Sequence, residues 1–232
     1  MSIDGIIANE LILNADEKYR QFHSSLVLGV ENILGVRAPI TRAIAKKYAN
    51  TDTGKHFMAS LPHKFYDEYM VHGYMIGYLK CDSESKKKYI RELLPFIDNW
   101  AVCDSCVSNL KTFFKKPDEV FGFVKELLRS DKEYSIRFAL VCLLSYYVDD
   151  DHIDEVLELT SKVTNASYYV KMAQAWLISV ALVKEYDRTL PILTENMLDI
   201  WVHNKAIAKA KESFRIDKET KTYLTSLKRG VK

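Results

Sequence analysis

The sequence predicts an all-α fold, an α-solenoid built from pairs of helices, and three observations favour it. Apolar residues recur at helical spacing along most of the chain. Glycine and proline are scarce, with 8 and 5 residues, which disfavours an all-β chain with many turns. Comparable helices also recur at a constant interval, which is typical of repeat arrays.

The helical segments are separated by short polar breaks such as KKPDE, RSDKE and DDDHID. Pro117 and Asp118 suit the start of a helix, and Asp98 with Asn99 suits the cap of a helix that starts at Trp100. In chain order the segments with helical spacing are FYDEYMVHGYMIGYL, KKYIRELLPFI, DEVFGFVKELL, YSIRFALVCLLSYYV, HIDEVLELTSKV, YYVKMAQAWLISVALV and LTENMLDIWV.

The repeat period is 34 residues, since 100−66, 134−100, 168−134 and 202−168 all give this difference. The helices compared start near Tyr66, Trp100, Tyr134, Tyr168 and Val202. Tetratricopeptide repeats have this length, but their W-x-x-L-G-x-x-Y pattern is absent. We therefore expect a superhelix of HEAT-like helix-pair repeats, with an irregular helical bundle as the alternative. One domain, 1–232, would hold repeats near 32–65, 66–99, 100–133, 134–167, 168–201 and 202–229.

Net charge and the distribution of apolar residues bear on whether the protein binds nucleic acid, spans a membrane or is secreted. The formal net charge of +2 is too small to argue for nucleic-acid binding, so the placement of cations must carry that argument. No apolar run approaches the roughly 20 residues of a membrane span. Residues 1–20 lack the basic start and cleavage site of a secretory signal. We expect a cytoplasmic protein with no membrane partner and free thiols at its four cysteines.

Cys103 and Cys106 have the C-x-x-C spacing of a redox motif or of half a zinc site. No second C-x-x-C or H-x-x-x-H follows, and both sulfurs fall in the middle of a predicted helix. Core packing is the preferred interpretation, with redox or metal chemistry as the alternative. No metal and no other cofactor is expected.

Asp104 is unusual for its position in the repeat. Its equivalents in the other repeats are apolar: Met70, Phe138, Met172 and Ala206. It lies one helical turn after Trp100, so the two side chains share a face. Because an unpaired buried carboxylate is costly, this acid is expected to have a partner or a chemical role. A capping or salt-bridge role for Asp104, and core packing for Trp100, are the alternatives.

The preceding repeat position carries cations in three successive repeats, Arg137, Lys171 and Lys205. Repeat arrays collect equivalent positions into a stripe, and spaced cations suit a phosphate backbone. The alternative interpretation is a set of solvated side chains near helix starts.

These residues carry a family resemblance. The segment IDNWAVCDS resembles the Asp-Asn-Trp-x-x-x-Asp-Ser signature of bacterial DNA alkylation repair proteins of the AlkD type, which are HEAT-like-repeat DNA glycosylases. ILGVRAPITRAIAKKY resembles the family's Gly-Val-x-x-Pro-x-x-Arg-x-x-Ala helix, and YSIRFALVCLL, YYVKMAQAWLISVAL and NKAIAKAKESFRI resemble its later repeats. The resemblance covers the chain from about residue 15 onward.

The resemblance implies removal of N3- or N7-alkylated purines from damaged double-stranded DNA by cleavage of the N-glycosidic bond. It implies catalytic roles for Asp104, Trp100 and Trp176, and DNA contacts by Arg137, Lys171, Lys205 and Arg37. Asp104 would stabilise the oxocarbenium-like sugar, and the tryptophans would pack on the sugar. A monomer on the nucleoid of a bacterium is the expected setting.

One position departs from the family pattern. Members commonly carry arginine one turn after the second tryptophan, whereas Ser179 stands here, and Lys171 on the same helix is the candidate replacement. This departure and the modest charge favour the alternative function, a non-catalytic AlkD-like repeat protein that binds DNA or a protein partner. A redox enzyme using Cys103 and Cys106 is a third hypothesis.

Overall fold

The computed structural model describes residues 5–230, which form fourteen α-helices and no strand. The helices are α1 (Ile6–Leu13), α2 (Glu17–Ser24), α3 (Ala38–Tyr48), α4 (Asp52–Ala59), α5 (Tyr66–Tyr78), α6 (Ser83–Leu93), α7 (Trp100–Ser108), α8 (Pro117–Leu128), α9 (Glu133–Tyr146), α10 (Ile153–Ser161), α11 (Tyr168–Lys184), α12 (Tyr186–Thr194), α13 (Ile200–Glu212) and α14 (Lys218–Ser226). The residues 1–4 and 231–232 of the expected domain lie outside the described part. Within residues 5–230, every helix is too short or too polar to cross a bilayer.

The helices pack in series as an all-α solenoid, which confirms the predicted fold class. Helices α5, α7, α9, α11 and α13 begin at Tyr66, Trp100, Glu133, Tyr168 and Ile200, within two residues of the predicted starts. Helix α5 packs on α7, and α11 packs on both α9 and α13. The assignment to HEAT-like repeats within one domain stays a prediction.

The chain divides into two compact units, Met1–Val120 and Phe121–Lys232. In the first unit α5 is the central helix, packed against α1, α3, α4, α6 and α7, and it buries side chains on nearly every side. Two of its glycines allow α7 to approach closely. A Cβ atom on Gly73 would lie 3.0 Å from Cys106 Cβ, and one on Gly77 would lie 2.2 Å from the Asn109 carbonyl oxygen.

In the second unit α11 is the central helix. It lies between α9 and α13, and its Val170, Ala173, Leu177 and Ile178 are almost fully buried. Burial of apolar side chains on several faces explains why this helix lacks a polar stripe.

The prediction of a helical segment over LTENMLDIWV is wrong. Helix α12 ends at Thr194, and Asn196 adopts a left-handed conformation with φ 57° that no α-helix continues. Asp199 then caps α13, accepting the backbone N–H of Trp201 at 3.0 Å. The apolar spacing persisted across the break because both sides of the turn are buried, at Leu193 and Leu198.

Candidate active site

Helix α7 presents Trp100 and Asp104 one turn apart, and both side chains are half-buried. The start of this helix is well defined because Asn99 Oδ1 accepts the backbone N–H of Val102 at 2.9 Å. Asn99 in turn donates its side-chain amide to Asp98 at 2.8 Å. The cap places Trp100 in the first turn, so its indole lies at the end of the helix rather than in the core.

The opposite side of α7 is anchored in the core. Cys103 and Cys106 are buried, at 0% and 1% exposure, and burial raises the pKa of the Cys106 thiol to about 12. A thiol of this kind packs as a small apolar group and is a poor nucleophile, which confirms the core-packing interpretation of both cysteines. Residues 5–230 contain no group of three or more His, Cys, Asp or Glu side chains that could hold a metal ion.

The end of α7 is tied to α5 through Asn109, whose side-chain amide donates to the Tyr74 carbonyl at 2.7 Å. This bond and the glycine contacts hold α7 rigidly on the central helix of the first unit. Catalytic groups need such support, because small errors in position are costly in rate.

The indole of Trp100 is held by a partner that sequence reasoning missed. Its Nε1–H donates to the Leu26 carbonyl oxygen at 3.1 Å. Leu26 belongs to the turn after α2, where Val27 is buried while Leu28 is 78% exposed. No sequence pattern marks this contact, because a backbone carbonyl carries no residue signal.

Arg37 ends the segment that leads into α3, and a buried carboxylate shapes this segment. Asp67, which is 1% exposed, accepts the N–H groups of Leu34 and Val36, both at 2.7 Å. Gly35 between them has φ 82°, which favours glycine. Arg37 itself is exposed, pairs with Asp16 at 2.9 Å and lies over the Tyr19 ring, 4.8 Å from its centroid.

In the second unit Trp176 is half-buried on α11. The three predicted cations of this unit, on α9, α11 and α13, differ in burial and in their partners. Arg137 on α9 is only 4% exposed and donates Nη1–H to the Tyr169 carbonyl at 2.8 Å. Lys171 pairs with Asp199 at 3.3 Å. Lys205 on α13 is half-buried and lines a surface pocket together with Trp201. The three cations are therefore not presented alike, and their contact with phosphate stays a prediction.

A second pocket of the same unit, of about 370 Å³, lies beside Trp176. Ser179 lines it, and so do three cations that the sequence analysis did not single out, Lys184, Lys209 and Arg215. The basic segment NKAIAKAKESFRI contains two of them, and Lys209 follows Lys205 by one turn. That spacing is the signal that could have found them.

The sequence model of the protein family described as DNA alkylation repair enzyme matches residues 7–207. The chain belongs to the DNA alkylation repair enzyme family. The match runs from α1 into α13 and confirms the family that the sequence resembles. A comparison with curated proteins finds no match.

Membership in the DNA alkylation repair enzyme family supports an enzyme of DNA repair and contact with DNA. A carboxylate and an aromatic face on one side of a helix can together stabilise a positively charged group. Trp100 and Asp104 provide this pair on α7.

Proposed function

We propose that the chain is a DNA glycosylase that excises N3- or N7-alkylated purines from double-stranded DNA. The observation that carries the proposal is the Trp100/Asp104 pair, half-buried on one face of α7. Membership in the DNA alkylation repair enzyme family supports it independently.

The chemistry follows from the substrate. Alkylation at N3 or N7 gives the purine a positive charge, so the base leaves as a neutral molecule when the bond from C1′ to the base nitrogen breaks. The bonding electron pair goes to the base, and the deoxyribose becomes oxocarbenium-like. A water oxygen then bonds to C1′ and loses a proton.

Asp104 is the proposed electrostatic catalyst of this step. A carboxylate beside the sugar stabilises the positive charge that develops there, as carboxylates do in glycoside hydrolysis, and it can orient the attacking water. The indole of Trp100 offers an apolar, electron-rich face to the sugar and to the cationic base. Its fixed orientation at the Leu26 carbonyl suits such contact.

The second unit is proposed to bind the DNA backbone. Trp176 would pack on a deoxyribose, and Lys205 would contact a phosphate. In the first unit, Arg37 is the proposed phosphate contact. Arg137 and Lys171 remain candidates, although each has a partner within the protein. The expected substrate complex is one monomer on damaged duplex DNA.

The decisive experiment measures release of 3-methyladenine and 7-methylguanine from methylated duplex DNA in single-turnover conditions. We expect Asp104→Asn to lower the rate roughly 100-fold or more, because a stabilising charge is lost. Asp52→Asn is the matched control, since it makes the same change at an exposed acid of α4 in the same unit. Equal rates for Asp104→Asn and the unsubstituted protein would overturn the proposed mechanism.

A second candidate is a non-catalytic AlkD-like repeat protein that binds a protein partner or DNA. Of the four cations predicted to bind DNA, Arg37, Arg137 and Lys171 already have partners within the protein, which favours a protein partner over a phosphate backbone. If the ligand is DNA, this candidate predicts salt-sensitive binding of duplex DNA without release of any base. Absence of both DNA binding and base release would indicate a protein partner.

A further inference from the structure

The pocket beside Trp176 is formed by α11, α13 and the segment that follows α13. Its volume is about 370 Å³. Its lining residues are Trp176, Ser179, Val180, Val183, Lys184, Lys209, Glu212, Ser213 and Arg215. The pocket therefore combines one aromatic side chain, a short apolar wall and a cluster of charges.

The charges of this pocket are unbalanced. Three lining side chains are cationic, Lys184, Lys209 and Arg215, and only Glu212 is acidic. None of the three cations forms an ion pair with any residue between 5 and 230. Cations gathered in one pocket repel each other, and an anion bound there would relieve the repulsion.

The polar side chains of this pocket make few hydrogen bonds within the protein, so they remain able to bind an anion. Ser179 turns its hydroxyl back to its own helix, where Oγ donates to the Trp176 carbonyl at 2.7 Å. Lys184 makes only a long hydrogen bond, 3.4 Å, to the Val148 carbonyl. Lys209 is half-buried and Arg215 is exposed, so both can reach a ligand that enters from solvent.

We infer that this pocket binds a backbone phosphate of DNA, with Lys209 and Arg215 as its donors and Trp176 packed on the adjoining deoxyribose. The inference rests on the proposed function, because it takes DNA as the ligand. Every sugar of the DNA backbone is flanked by phosphates, so an aromatic side chain and cations in one pocket match the sugar–phosphate unit. The guanidinium can donate two N–H groups to the phosphate oxygens, and the ammonium adds a point charge.

The test is a titration of duplex DNA against the full-length protein at several salt concentrations, followed by fluorescence anisotropy. We expect Lys209→Ala/Arg215→Ala to weaken binding at least 10-fold at low salt. It should also reduce the slope of log K against log salt by about 1 for each lost contact. Lys162→Ala is the matched control, because this exposed lysine on the surface of the same unit already pairs with Glu158. It should bind as the unsubstituted protein does.

A charge-preserving variant separates a phosphate contact from a structural role. Lys209→Arg/Arg215→Lys keeps both positive charges among the lining residues of the pocket. We expect this variant to keep most of the affinity and the salt slope that the alanine double variant loses. If the alanine double variant is unstable in thermal melting, Arg215→Gln alone, at an exposed position, gives the same comparison.

The outcomes for this pocket and for the proposed function are distinct. An unsubstituted protein that binds duplex DNA and releases alkylated bases, together with an alanine double variant of unchanged affinity and slope, would overturn the pocket assignment and leave the glycosylase standing. Loss of DNA affinity in the alanine double variant with no base release by the unsubstituted protein would support the phosphate site and overturn the glycosylase. An unsubstituted protein that does not bind DNA overturns both.

Discussion

The indole N–H of Trp100 donates to the backbone carbonyl of Leu26 at 3.1 Å, across 74 positions of sequence. The bond joins the first turn of α7 to the turn after α2. Val27 anchors that turn in the core, and the carbonyl is therefore a fixed acceptor. It sets the plane of the ring that is proposed to face the substrate, since a ring held only by packing could rotate.

Replacing Trp100 by phenylalanine should separate the contribution of the hydrogen bond from that of the aromatic face. Trp100→Phe keeps an aromatic face and loses the donor, at a cost to unfolding free energy of about 1 kcal/mol. We expect its single-turnover base release to lie between those of the unsubstituted protein and Trp100→Ala. A Trp100→Phe rate equal to that of Trp100→Ala would show that the face alone contributes nothing.

Replacing Gly77 by alanine should weaken the packing of α5 against the end of α7. The new Cβ would lie 2.2 Å from the Asn109 carbonyl oxygen, so α5 and α7 would have to separate. We expect the free energy of unfolding, measured in urea, to fall by about 1–3 kcal/mol.

The control for this effect is Gly122→Ala in α8. A Cβ at Gly122 meets nothing within 4 Å, and alanine favours the helix by about 0.5–1 kcal/mol. The two substitutions should therefore shift the urea midpoint in opposite directions. A loss of stability of the same size in both would mean that helix contact is not the cause.

Stability should fall in mild acid because of a buried histidine pair. His63 Nε2 lies 2.9 Å from His72 Nδ1, and His63 stacks on Phe57 with ring centroids 4.3 Å apart. Burial lowers the pKa of His63 from 6.5 to about 4. Burial, and secondarily the charge of His63, lowers the pKa of His72 well below its ordinary value.

Between pH 6.5 and about 4 the unfolded chain therefore binds protons that the folded chain does not. The contribution of His63 is complete above pH 6.5 and decreases as the pH falls to about 4, by on the order of 2–3 kcal/mol. His63→Gln should flatten this part of the profile of unfolding free energy against pH. Ser60→Ala, at an exposed position just after α4, changes no histidine and should keep the slope of the unsubstituted protein. An unchanged slope in His63→Gln would contradict the assignment.

Asp67 should be needed for the shape of the segment that leads to Arg37. Its two carboxylate oxygens each accept one backbone N–H, from Leu34 and from Val36. Asp67→Asn replaces one acceptor by an amide that donates, so one buried N–H loses its partner. The expected loss is about 1–3 kcal/mol. Faster amide hydrogen exchange at Leu34 and Val36 would locate the effect, and unchanged exchange at both would argue against it.

The positions of the repeating helices could be predicted from the sequence. Their starts, the Asn99 cap and the burial of Cys103 and Cys106 all depend on neighbours within one or two helical turns. Capping and apolar periodicity act over such short distances, so their signals survive in the sequence itself. The same reasoning wrongly predicted a helix through Asn196, where a residue in the left-handed conformation interrupts a continuous apolar pattern.

The state of the site residues could not be predicted in this way. Arg137 shares a repeat position with Lys171 and Lys205, yet it is buried and bonded to the Tyr169 carbonyl. Equivalent repeat positions predict the helix face on which a side chain lies. The contacts and the burial of its charged group depend on the packing of neighbouring helices.

The sequence by itself determined the class of fold, the order of the helices and the family, together with the Trp100/Asp104 pair on one helical face. Only the tertiary structure decided that the Leu26 carbonyl holds Trp100 and that Lys209 and Arg215 share a pocket with Trp176. The physical reason is distance along the chain. Helix formation is encoded among near neighbours, whereas these contacts join segments that meet only when the helices pack.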